Sequence, residues 1–135
     1  MHQLQLNYLA IFVSAVIQWI IGAIWYSPIL FAKPWMALIP TVPDKKSKSM
    51  IAGMISSFIG SLILSFVLAH IVFWSGVTSF WNGALMGLVV WCGFVASPGF
   101  AQGIYEGRPF KLFAINTGYW LVALVVSGGM LAIWH

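Results

Sequence analysis

Charge is what this chain has least of: only 6% of its 135 residues are Asp, Glu, Lys or Arg. A soluble domain carries about a quarter, because charge keeps its surface in water. Six cations and two acids cannot coat a soluble fold, which excludes a cytosolic enzyme and a nucleic-acid-binding domain. The net charge of +4 therefore bears on membrane topology and not on nucleic acid. Carboxylates are scarcer still. Asp44 and Glu106 are the only two, and neither lies inside a long apolar run, so a carboxylate-based proton relay has no candidate. Cys92 is the sole cysteine, which excludes an internal disulfide. Strict apolar–polar alternation is absent, and four short segments could not close a β-barrel.

Apolar residues fill the space left by charge: 61% of the chain is hydrophobic, too much for disorder. A membrane helix needs about 20 mostly apolar residues to cross ~30 Å of hydrocarbon. Residues 6–31, 49–74, 79–102 and 110–134 meet that length. They define an all-α polytopic membrane protein, with residues 1–135 forming a single four-helix transmembrane domain. The first span is expected to stay in the protein and not to be a cleavable signal: no basic residue precedes it and its apolar run is too long.

The cations give a direction. Lys33, Lys45, Lys46 and Lys48 belong to the first connection, and Arg108 and Lys111 flank the end of the third. Four spans place those two connections on one side, so one side holds all six. By the positive-inside rule it is cytoplasmic, and both termini face out. The expected location is a cell inner membrane or plasma membrane, crossed several times. Pro34, Pro40 and Pro43 discourage a continuous helix in the first connection. Asp44 is placed to cap the second span, with Lys45, Lys46 and Lys48 among anionic headgroups as topology signals.

Small residues mark packing surfaces. Gly53, Ser57, Ser61, Ser65 and Ala69 recur every fourth position along the second span, with Ala52, Ser56 and Gly60 in a parallel row. Gly83 and Gly87 repeat the pattern in the third. Such rows let two helix backbones approach closely. The expected partner helix is within the chain, with self-association into a homo-oligomer such as a dimer expected as well. Ser27-Pro28 near the end of the first span and Ser97-Pro98 near the end of the third suggest a parallel two-helix repeat.

Polar residues in lipid need partners. Gln18 lies near the middle of the first span, Asn82 near the outer end of the third, and Asn116, Thr117 and Tyr119 in the inner half of the fourth. All are expected to make hydrogen bonds facing the bundle. His2, His70 and His135 fall toward the outer side, far from both acids, so neither a hydrolytic triad nor a metal site is expected. Cys92 reads as a buried, inert thiol. Trp25, Tyr26, Trp35, Trp74, Trp81 and Trp134 suit interfacial belts. Trp19, Trp91 and Trp120 fall near span centres and are read as bundle packing, a pocket for a flat apolar ligand being the alternative.

The least ordinary sequence lies at the cytoplasmic ends: GAIWYSPILFAKPW at 22–35 and ASPGFAQGIYEGRPFKLFAINTGYW at 96–120. Trp25-Tyr26-Ser27-Pro28, Lys33, Trp35, Glu106-Gly107-Arg108-Pro109, Asn116, Gly118, Tyr119 and Trp120 resemble an uncharacterised, mainly bacterial membrane family, domain of unknown function 1761. The resemblance implies a four-helix membrane domain and no activity. The residues themselves suggest more. Pro109 suits the first turn of the fourth helix, whose positive dipole end then faces the cytoplasm beside Arg108 and Lys111. Such a terminus binds anions, and Glu106 can pair with Arg108. The expected ligand-binding set is Arg108, Lys111, Glu106, Asn116, Tyr119, Trp25, Tyr26 and Lys33, and the expected partners are anionic lipid headgroups. No catalytic set or cofactor motif emerges. The function expected is a non-catalytic membrane protein binding a lipid, an anion or a partner at that cluster. A homo-oligomeric transporter or channel for a small solute is the alternative.

Overall fold

The computed structural model describes residues 7–27, 29–38 and 48–134. Asp44, Lys45, Lys46, His2 and His135 lie outside the described residues. Every regular element among them is helical. α1 is Tyr8–Trp25, α2 Ala32–Leu38, α3 Lys48–Ser75, α4 Phe80–Val90, α5 Ser97–Glu106 and α6 Phe110–Ile133; a π-helical segment, Trp91–Ala96, joins α4 to α5 without a break. Four helical stretches are long and apolar enough to cross a membrane: Tyr8–Trp25, Ile51–Ser75, Phe80–Glu106 and Phe110–Ile133.

Each boundary has a local cause. Asn7 caps α1 by accepting the Ala10 N–H at 3.1 Å. That helix stops at Trp25, six residues short of the expected end. Ser27 precedes a proline, which disfavours helical backbone there, and its hydroxyl donates back to the Ile24 carbonyl at 2.6 Å. Pro34 sits in the first turn of α2, where its missing N–H is harmless. Between α3 and α4 the chain turns at Gly76, φ +76°, and Ser79 caps α4 by accepting the Asn82 N–H at 3.2 Å. α5 ends in a Schellman turn: Gly107 takes φ +68°, and the Arg108 N–H reaches the Gly103 carbonyl at 2.9 Å. Pro109 then stands just before α6 as its N-cap, one position earlier than the first-turn place expected of it.

The two Ser-Pro segments differ. Ser27 follows the end of a helix, whereas Ser97-Pro98 lies inside a continuous one.

α6 is the central helix. It packs against α4 on one side and against the α1–α3 pair on the other, and half of its most apolar stretch is buried. Glycine makes the α4–α6 contact. A Cβ on Gly83 would fall onto the Gly128 carbonyl, and one on Gly87 onto the Leu124 carbonyl. Backbones that close require residues without side chains. On α3, Ser61, Ser65 and Ala69 are buried within the chain. Gly53 and Gly60 meet nothing within 4 Å of an added Cβ, and Ser56 and Ser57 are exposed. Among the described residues, the small-residue row of α3 is therefore consumed over its second half and open over its first.

Candidate functional site

A polar seam runs between α1 and α6. At its centre Gln18 is fully buried. Its side-chain amide donates to Ser65 Oγ and Ser127 Oγ, each at 2.8 Å, with Ser14 Oγ at 3.4 Å. Ser65 also donates to Ser14 at 3.3 Å. Three helices, α1, α3 and α6, thus meet at one amide. The Gln18 Oε1 atom is buried without a partner among the described residues. One turn along α1, the absence of a side chain at Gly22 makes room for the Tyr119 ring, 3.2 Å from where a Cβ would stand. That placement lets the Tyr119 hydroxyl donate to the Gln18 carbonyl at 2.9 Å.

The seam continues where α1 ends. The Trp25 indole donates to the Ile115 carbonyl at 2.8 Å, and its ring lies 3.1 Å from the Cβ that Gly118 lacks. The Tyr26 hydroxyl donates to Asn116 Oδ1 at 2.8 Å. Trp35, from α2, meets the Tyr26 ring edge-on at 5.2 Å, which ties the short helix to the seam. From the opposite side, the Trp91 indole donates to the Thr117 carbonyl at 2.7 Å. A carbonyl has two lone pairs, so Ile115 and Thr117 can accept an indole beside their helical bonds.

The charged residues lie further toward the same end. Arg108 Nε pairs with Glu106 Oε2 at 2.6 Å, the side chains 58% and 37% exposed. Gln102 donates to the other carboxylate oxygen at 2.9 Å, so Glu106 is held from both sides. Lys33 and Lys111 are exposed. From Lys111 to Asn116 is about 7 Å of helix rise. The eight expected residues therefore form two groups. Trp25, Tyr26, Asn116 and Tyr119 are joined in a clasp between α1 and α6. Arg108, Glu106, Lys111 and Lys33 form an exposed rim.

Two of the side-chain expectations change. Cys92 is exposed on the π segment and not buried among the described residues. Asn82 is exposed at its helix start and does not face the bundle. Ser14 and Ser127, which complete the Gln18 cluster, were not singled out. Their signal was available in part: Ser14 and Gln18 are four apart and share a helix face. Trp19, Trp91 and Trp120 line neither of the two surface hollows described below. Trp19 packs edge-on against Phe58 at 6.0 Å, and Trp120 lies tilted against Tyr119 at 4.8 Å. Two surface hollows of about 400 Å³ lie elsewhere, one lined by Phe12, Leu62 and Phe66, the other by Val72, Val77 and Leu131. The described histidine, His70, bonds the Phe66 carbonyl at 2.8 Å, and no group of three metal-ligating side chains forms among the described residues.

Four apolar spans around a polar seam define a multi-pass helical membrane protein. The chain belongs to the family described as Protein of unknown function (DUF1761), whose model matches residues 9–132. No curated protein and no solved structure matches the chain.

Proposed function

We propose that this protein is a non-catalytic membrane module that holds an anionic lipid headgroup at its basic rim. The observation that carries the reading is the state of Arg108. Glu106 takes its Nε edge, while the side chain remains more than half exposed. A guanidinium so placed is pre-oriented and still offers its remaining N–H groups to a phosphate. Lys33 and Lys111 add charge at the same end, and Tyr105 and Phe110 are exposed aromatic neighbours of the kind that sit at headgroup depth. On this reading the rim faces the cytoplasm, both termini face out, and the seam is the rigid support that fixes α6 beneath the rim.

Native mass spectrometry of protein released from nanodiscs of mixed phosphatidylglycerol and phosphatidylcholine tests it. Wild type retains phosphatidylglycerol, Arg108→Gln loses it, and Glu106→Gln retains as much or more. Equal retention by all three proteins sinks the reading. Topology is checked with Thr78→Cys and Tyr105→Cys in a Cys92→Ala background. An impermeant maleimide labels the first in intact cells and the second only after permeabilisation; the reverse pattern reverses the orientation.

The polar line from buried Ser14, Gln18 and Tyr119 to half-buried Tyr26 and Asn116 favours a second reading, a homo-oligomeric transporter or channel. It ranks behind, since those groups mostly bond one another and line neither surface hollow. Flux of small solutes into proteoliposomes would reverse that order.

A further inference from the structure

Hydrocarbon offers no hydrogen bond, so a buried polar atom at mid-span must find its partner inside the protein. The Gln18 side chain is fully buried, out of reach of lipid and of a second chain. Its Nε2 end is crowded: Ser65 and Ser127 stand at 2.8 Å and Ser14 at 3.4 Å. Its Oε1 end has no partner among the described residues. Turning the amide over moves the deficit without removing it. Oε1 would then accept from the serine hydroxyls, and Nε2 would be the buried end left over. The hydroxyls show the matching surplus. Ser65 donates to Ser14 at 3.3 Å, while the Ser14 and Ser127 hydroxyls receive a bond and give none to any described residue. The lining is short-chained: Ser14, Ser65 and Ser127, with Ser61 buried one turn before Ser65 on the same face.

One acceptor and two hydroxyl protons without an outlet suit a molecule that both donates and accepts. We propose that the protein holds a single internal water at the Gln18 amide, donating to Oε1 and accepting from the Ser14 or Ser127 hydroxyl. Buried waters make about three hydrogen bonds to groups that otherwise lack them, which is the number this site offers. A monovalent cation would meet the same oxygens, but its charge would go unbalanced. Among the described residues the carboxylate is Glu106, which is paired with Arg108 at the exposed rim, and an unpaired charge at mid-membrane is costly. A supply of water lies close. Ala69 and Leu131 line the hollow beside Val72 and Val77, and each is one helical turn, about 6 Å, from Ser65 or Ser127. The proposal is independent of the headgroup reading.

Crystals of the full chain grown from a lipid mesophase in rubidium chloride, and diffracting to about 2 Å, test it. The expected map has one isolated peak about 2.6–3.2 Å from the Gln18 amide and from a serine Oγ, with no anomalous rubidium signal. Gln18→Met keeps the length of the side chain and removes the amide, and its map is expected to lose the peak. If that variant does not fold, the wild-type map decides alone. A wild-type map that resolves interfacial waters and shows no peak at Gln18 overturns the proposal. So does rubidium at the site, which would make it a cation site, or a peak that Gln18→Met leaves unchanged.

Discussion

α6 and the third span have similar apolar character and opposite surroundings. Their best windows have mean hydropathies of 1.5 and 1.7, yet 50% of one and 11% of the other is buried. Hydropathy reports that a helix will enter lipid; it does not report whether its neighbours are lipid tails or other helices. The difference lies in where small and polar residues fall. On α6, Thr117, Ser127, Gly128 and Gly129 are buried and meet the other helices. On the third span Gly83 and Gly87 do the same near one end, while Cys92, Gly93 and Ser97 face outward.

The sharpest way to break this comparison is to enlarge glycines on the two faces of one span. Gly83→Leu drives a side chain into the backbone of Gly128 and is expected to cost at least ~3 kcal/mol, seen as loss of the folded protein on thermal unfolding in detergent. Gly93→Leu, on the outward face, should stay within about 0.5 kcal/mol of wild type when the protein is monomeric in detergent. Similar losses for both would show that the third span is enclosed on both sides.

Gln18→Leu comes next. It keeps the volume but removes the amide shared by α1, α3 and α6, and is expected to destabilise by about 1–2 kcal/mol. An unchanged melting temperature would mean that the serines satisfy one another without it. A smaller effect belongs to the clasp: a double-mutant cycle of Tyr26→Phe with Asn116→Ala should give a coupling of about 0.6 kcal/mol. Smallest is the rim. Glu106→Gln should change stability by no more than ~0.5 kcal/mol, since exposed ion pairs contribute little. A larger loss would make the rim part of the structural support instead of a binding edge.

Much of this architecture is legible in the sequence, for identifiable reasons. Span number follows from run length, and the start of α6 at Phe110 from Pro109 and the charges around it. Gly83 and Gly87 announce a close contact because, without side chains, they let two backbones approach. The end of α1 at Trp25 was harder to place, since Ile29, Leu30 and Phe31 continue the apolar run of the sequence past it. Exposure of Cys92 was not legible: one thiol in an apolar segment looks the same against lipid as against protein. The π segment left no readable mark either, because Trp91 to Ala96 contains nothing that forbids an ordinary helix. Tyr26 and Asn116 were both candidate binding residues, and their pairing with each other depends on how α1 and α6 cross.

The Gln18 cluster also sets an order of assembly. Ser127 stands 109 residues beyond the glutamine it receives, so during synthesis α1 and α3 enter the membrane well before α6 is made. Through that interval Ser14 and Ser65 are the nearby partners the amide has. A chain stalled between those helices carries a polar group only partly shielded in lipid. Arrival of α6 covers that amide and seats Gly128 on α4 in the same step, so its insertion closes both halves of the bundle at once.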